Sequence, residues 1–75
     1  MSYKEYIERN PEIMLGKPII KGTRITVELI MRKLAEGYDI EDLLKSYPHL
    51  TKKQIYAALE YAADMIANEE TLEIL

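Results

Sequence analysis

A mostly α-helical fold, a three-helix bundle in helix-turn-helix order behind a short N-terminal hairpin arm, is predicted by three features of this 75-residue chain. From Thr26 onward, apolar residues recur at helical spacing in three runs, each opened by a residue suited to cap a helix. Before Thr26 the pattern is extended and broken by glycine and proline. The last two runs are separated only by Tyr47-Pro48-His49-Leu50, which suits a tight turn between helices. At this length the chain forms one domain, with an arm over 1–25 and helices over 26–37, 39–47 and 51–70.

The arm is centred on Gly16 to Val27, which reads GKPIIKGTRITV. Ser2 to Ile7 alternates weakly and brings Tyr3, Tyr6 and Ile7 in as a half-turn or a strand, and Asn10-Pro11 marks a break. Ile13-Met14-Leu15 is an apolar run closed by Gly16; it is long enough for a strand and too short for a helix, and it is expected to pair with the segment that follows. Lys21-Gly22 reads as a tight turn between two extended pieces, with Gly22 supplying a positive φ. Pro18 has no donor and belongs on an edge. Lys17, Lys21 and Arg24 therefore lie close together on short, stiff backbone; on composition alone the same stretch also reads as an ordinary solvated turn before a helix.

In the first helix Val27, Ile30, Met31 and Leu34 share a face, Thr26 is the N-cap, Glu28 suits the positive end of the macrodipole, and Gly37 stops the helix. In the second, Asp39 caps a run in which Ile40, Leu43, Leu44 and Tyr47 repeat before Pro48. The third opens on a capping box, Thr51-Lys52-Lys53-Gln54. Its core stripe is expected to be Ile55, Ala58 or Leu59, Ala62 and Ile66. A second stripe, Ala58, Tyr61, Met65, Asn68, Leu72 and Leu75, lies about 100° away and is more than one monomer core needs. Either Tyr61, Met65, Leu72 and Leu75 form a dimer interface with Asn68 setting its register, or the helix ends near Asn68 and the tail folds back.

A single core of this size leaves a margin of about 3–5 kcal/mol, and with no cysteine there is no disulfide to add to it, so self-association is expected. No run approaches the roughly 20 apolar residues of a membrane span, and MSYKEYIERN lacks a signal-peptide core, so the expected setting is the cytoplasm. Net charge is −3, which argues against coating nucleic acid by bulk charge. Residues 1–38 carry seven Lys/Arg against five Glu (+2), and residues 39–75 three against eight acids (−5). Any nucleic-acid surface is thus expected in the first half or at the start of the third helix.

Catalytic chemistry is sparsely supplied, and no enzyme, metal or cofactor is expected. His49 is the only histidine and sits in a turn between Pro48 and Leu50; Ser2 and Ser46 have no nucleophile elbow around them. Glu41-Asp42 and Glu69-Glu70 are helix neighbours that diverge by about 100° and so do not converge on a cation. No phosphate-cradling glycine loop is present. The helix order is more informative, because it presents Lys52, Lys53, Gln54 and Tyr56 as DNA-contacting candidates at the start of a recognition helix. Glu60 and Asp64, further along the outer side, would be repelled by phosphate, and a three-helix bundle with no DNA role has the same apolar pattern.

Asn10-Pro11-Glu12-Ile13, GKPIIKGTRITVELI, Ile40-Glu41-Asp42-Leu43-Leu44, Tyr47-Pro48-His49-Leu50-Thr51 and Ile55 with Ala57-Ala58-Leu59 and Tyr61-Ala62 together resemble the DUF433 family over about residues 7 to 63. The most specific part is Gly16-Lys17-Pro18 followed by Lys21-Gly22-Thr23-Arg24-Ile25. The family often has a small or cysteine residue and a second glycine before Gly16, where this chain has Met14-Leu15. The resemblance implies a homeodomain-like helix-turn-helix and, for many members, a VapB-type role as the antitoxin of a type II toxin–antitoxin pair, encoded beside a PIN-like ribonuclease. Such a nuclease holds Mg²⁺ in a carboxylate cluster, and a basic side chain can take the metal's place. Lys17, Lys21 and Arg24 are then the toxin-binding candidates. Arg24 comes first, because a guanidinium bonds two carboxylate oxygens at once; it could equally bond a carbonyl of its own fold. The expected function is a homodimeric antitoxin that inhibits the nuclease and binds its own promoter DNA. The alternatives are a DNA-binding regulator without a toxin, and a dimeric protein-interaction module.

Overall fold

The computed structural model describes residues 3–73, with side-chain surroundings through Asn68. A 3-10 turn at Tyr3–Glu5 leads into β1 (Ile7–Glu8), a second tight turn at Met14–Gly16 precedes β2 (Ile19–Ile20), and three helices follow: α1 (Val27–Ala35), α2 (Ile40–Ser46) and α3 (Lys52–Glu73). The mostly helical class and the N-terminal hairpin agree with the sequence expectation.

Each helix begins where a polar side chain can satisfy the open N–H groups of its first turn. The Thr26 hydroxyl accepts from the Leu29 N–H at 2.9 Å. Asp39 and Asp42 cap each other reciprocally across the start of α2, at 2.8 and 2.9 Å. Thr51 and Gln54 do the same for α3 at 3.2 and 2.9 Å. At the end of α1 the N–H groups of Gly37 and Tyr38 donate to the carbonyls of Leu34 and Lys33, both at 3.1 Å, the paired bonds of a Schellman stop. Asp39→Ala removes one half of a box on the shortest helix, and a loss of about 1 kcal/mol is expected, read as a lowered urea midpoint at unchanged slope.

The arm pairs differently from the sequence expectation. β2 lies antiparallel to β1, with Ile7 opposite Ile20 and Glu8 opposite Ile19, and Ile19 bridges Thr26 on its other side. The Lys21 N–H donates to the Tyr6 carbonyl at 2.7 Å. The turn closes with Thr23 N–H donating to the Ile20 carbonyl at 3.0 Å and Ile20 N–H to the Ile25 carbonyl at 2.9 Å. Gly22 sits in it at φ 81°, as a tight turn after Lys21 requires. Ile13-Met14-Leu15, expected as a strand, is not one. Asn10 opens a turn, its side-chain oxygen accepting from the Glu12 N–H at 2.9 Å, and Met14, Leu15 and Gly16 then take φ of 50°, 59° and 78°. This succession of left-handed residues cannot lie in a pleat, so the place beside β2 is filled by Ile7–Glu8.

The core gathers from both strands and all three helices. Ile19, Ile20, Ile30, Leu43 and Ile55 are fully enclosed, with Ile7, Val27, Leu50, Ala57 and Ala58 around them. Burying each large side chain contributes on the order of 1.5–3 kcal/mol. The expected stripe of α3 holds at Ile55 and Ala58 and fades through the half-buried Leu59 and Ala62. Ile66, expected in the core, is 53% exposed, because α3 outruns the body that covers its first half. The extents of 43 × 30 × 23 Å and the radius of gyration of 12.9 Å reflect that overhang; a compact chain of this length would give about 11 Å.

Candidate functional site

Two groups of side chains that the sequence picks out remain open to solvent. The first is on the arm. Lys21 and Arg24 flank Gly22 in the hairpin turn, both exposed, and among the described residues neither side chain makes a hydrogen bond or an ion pair. The turn holding them is tight: the Thr23 hydroxyl donates to the Ile20 carbonyl at 2.8 Å and accepts from the Ile25 N–H at 3.0 Å. The Glu8 carboxylate reaches the same turn, accepting weakly from the Gly22 N–H at 3.4 Å.

Lys17, the third arm cation, has a partner that the sequence did not reveal. Its ammonium lies 2.9 Å from Glu28 of α1, whose other carboxylate oxygen meets Arg32 at 3.0 Å. The hydrogen bond from Lys17, seconded by that from Arg32, holds the Glu28 carboxyl below its ordinary pKa. The charged form is the bonded one, so this support for the fold is present above the unfolded carboxyl's pKa and lost as pH falls through the lowered one. The Lys17 and Glu28 side chains are a little under half exposed and Arg32 more so, and salt screens all three. Lys17 thus serves as a brace between arm and helix.

The second group is at the start of α3. Lys53 and Tyr56 are exposed, and Lys52 is held loosely by Glu41 at 3.7 Å. Gln54 is half-buried, its amide oxygen engaged with the Thr51 N–H, so it caps the helix and is not turned outward. Glu60, half-exposed, and Asp64, exposed, lie one and two turns further on, and His49 lies exposed in the preceding turn.

Tyr61, singled out for a dimer interface, is engaged by its own chain. Its ring meets Tyr3 edge-on at 5.3 Å and 87°, and its hydroxyl accepts from Arg9 Nη2 at 2.6 Å and Nε at 3.0 Å. The Arg9 guanidinium also lies 5.9 Å from the ring centroid. Arg9 and Tyr3 carried no sequence signal for this, being more than fifty positions from their partner. Met65 is half-buried and Asn68 exposed. Leu72 lies on α3 beyond the described side chains, and Leu75 lies outside the described residues.

A shallow groove of about 500 Å³ between the end of α1 and α2 is lined by Glu36, Gly37, Tyr38, Asp42, Lys45 and Ser46, and takes in none of the side chains picked from the sequence. Among the described residues no three His, Asp or Glu side chains gather to hold a metal, and no helix is long and apolar enough to cross a membrane.

A helical bundle with α2 and α3 joined by a tight turn, carrying a two-stranded arm with solvent-facing cations, places the chain among small helix-turn-helix-ordered domains. It belongs to the DUF433 family, described as a protein of unknown function, whose family model matches residues 7–62. The uncharacterized protein y4eO of Sinorhizobium fredii (strain NBRC 101917 / NGR234) is 32% identical over 59 residues, a match taking in 79% of this chain and 27% of that protein. The crystal structure of a DUF433 member protein from Anabaena variabilis is 30% identical and superposes with a TM-score of 0.77, covering 89% of this chain and 63% of that one. The chain therefore spans about a quarter of the curated relative and less than two thirds of the crystallised one.

Proposed function

We propose that the chain is a cytoplasmic antitoxin that performs no chemistry itself and inhibits a PIN-like ribonuclease by placing arm cations in its carboxylate cluster. The observation that carries this reading is the pair Lys21 and Arg24, exposed on a braced turn and without an internal partner among the described residues. A guanidinium that keeps all its donors free can take two carboxylate oxygens side by side and displace the divalent cation they would otherwise hold. Lys17, tied to Glu28, stiffens the arm and adds a lesser share of charge. A homodimer built on the distal part of α3 around Met65 belongs to the same proposal; light scattering that returns a monomer removes that part.

The test is co-expression with the product of the neighbouring gene, which this reading expects to be a PIN-like ribonuclease; a neighbour of another kind would remove the basis of the reading. The wild type is expected to rescue growth and to co-purify. Arg24→Ala is expected to keep the helical circular dichroism spectrum and weaken the complex at least about tenfold, as losing one partner of a desolvated charge pair does. Two proteins that purify apart would remove the basis of the reading, and an unfolded Arg24→Ala would make that residue structural. A second reading, a DNA-binding regulator, is favoured by the exposure of Lys52, Lys53 and Tyr56 on the helix that follows the turn. The two are compatible where the complex binds its own promoter.

A further inference from the structure

We infer that the N-terminal segment is exchanged between two copies of this chain: residues 3–9 of each copy leave their own body and take the same seat on the other, with the turn at Met14–Gly16 opening as the hinge. The seat and its occupant are both seen within one chain. β1 pairs with β2, Ile7 opposite Ile20, and the Tyr6 carbonyl accepts from the Lys21 N–H at 2.7 Å. Ile7 is buried in the core, Tyr3 stands edge-on to Tyr61 at 5.3 Å, and Arg9 donates to the Tyr61 hydroxyl. Every one of these partners lies beyond the linker, in β2, the turn after it or α3, so a second copy offers the same seat with the same contacts.

The linker that joins this segment to β2 is tied mainly to itself. Among the described residues the hydrogen bonds of residues 10–16 stay within 10–17: the Asn10 side chain accepts from the Glu12 N–H, and the N–H groups of Ile13, Gly16 and Lys17 donate to the carbonyls of Asn10, Ile13 and Met14. No residue from 9 to 18 is buried, and Leu15 is 92% exposed. The bend is made by Met14 and Leu15 at φ of 50° and 59°, the two non-glycine residues with positive φ among the described residues. Each crowds its Cβ against the following carbonyl. Opening the linker releases that crowding in both chains of a dimer and gives up local bonds that water replaces, while the contacts of the seat form again across the copies. Joining two chains costs freedom, so exchange sets in with concentration. In the exchanged dimer the turn carrying Lys21 and Arg24 rests on β1 of the other copy, whatever the arm recognises, and no contact through the distal part of α3 is needed.

The experiment uses the full chain, which has no cysteine of its own, with spin labels on Glu5→Cys and Asp64→Cys. Both positions are exposed, and each lies within a turn of the contact between Tyr3 and Tyr61. The doubly labelled chain is refolded from urea at high concentration with an excess of unlabelled chain, and the dimer fraction is isolated for pulsed dipolar spectroscopy. The short distance between the two labels of one monomer is expected to give way to a longer one, because in the exchanged dimer each label sits beside an unlabelled copy. Leu15→Gly, at ease at positive φ, is expected to lower the dimerisation constant at least about tenfold, since two turns per dimer no longer gain by opening. Leu15→Pro, whose ring fixes φ at about −65° and turns Met14 toward extended backbone, is expected to raise it by a similar factor. Where Leu15→Pro does not fold, Leu15→Val biases the turn in the same direction with less force. A dimer that keeps the short distance is joined through another face and overturns the exchange, as does a chain that stays monomeric at every concentration. Equal dimerisation constants in the glycine variant and in the proline or valine variant overturn the turn as the hinge, and the proposal with it. No nuclease enters the measurement, so the proposed function stands or falls separately.

Discussion

Ile20→Ala is expected to leave the chain largely unfolded at 25 °C. Ile20 is fully enclosed, stands opposite Ile7 across the two-stranded sheet, and is the last residue before the turn that carries Lys21 and Arg24. Truncating such a side chain costs about 2–5 kcal/mol, the same order as the whole stability of a domain this small. The backbone of the same residue closes the turn, its N–H donating to the Ile25 carbonyl and its carbonyl accepting from the Thr23 N–H and hydroxyl, so the side chain that seats it in the core also seats the turn. Ile20→Val, at about 0.5–1.5 kcal/mol, should remain folded with a lowered melting temperature. A circular dichroism melt of Ile20→Ala superimposable on the wild type would mean that the arm is no part of the cooperative core.

The double change Lys52→Glu, Lys53→Glu is expected to abolish any gel shift of the chain's own promoter duplex while leaving the fold intact. Acidic residues in the first turn of α3 suit the helix macrodipole, and the only partner given up is Glu41 at 3.7 Å between exposed side chains, a pair of little worth. The two lysines removed are both of the cationic residues in the sequence of this helix, and each phosphate contact contributes about 0.9 to the slope of log affinity against log salt. A shift that survives would move the DNA surface to Lys21 and Arg24.

What could be read in advance was what is local. Thr26, Asp39 and Thr51 mark helix starts because each cap reaches only three residues along its own chain, and Gly22 and Gly37 mark turns because the backbone there needs a positive φ. Met14 and Leu15 hid their conformation, since neither is a residue type that advertises the left-handed region, and three apolar residues in a row imitate a strand. Ile66 continues a sound helical period past the point where the body ends, which periodicity cannot register. Ala57, taken for no stripe, is fully enclosed because a small side chain lets a neighbour close over it. Of the candidate sites, the arm cations and the exposed start of α3 were legible by type and spacing. The pairing of Lys17 with Glu28, the capping duty of Gln54 and the engagement of Tyr61 depend on side-chain geometry that spacing alone leaves open.

The bond between Arg9 and Tyr61 joins residues 52 positions apart, tying the start of the arm to the middle of α3. At a synthesis rate of roughly 5–20 residues per second, about 3–10 s separate the appearance of the two in the growing polypeptide. During that interval β1 and the first 3-10 turn lack the helical surface they finally rest on, and the hairpin that displays Lys21 and Arg24 has no floor beneath it. The arm therefore gains its final footing only once α3 has been made as far as Tyr61, in the third turn of that helix.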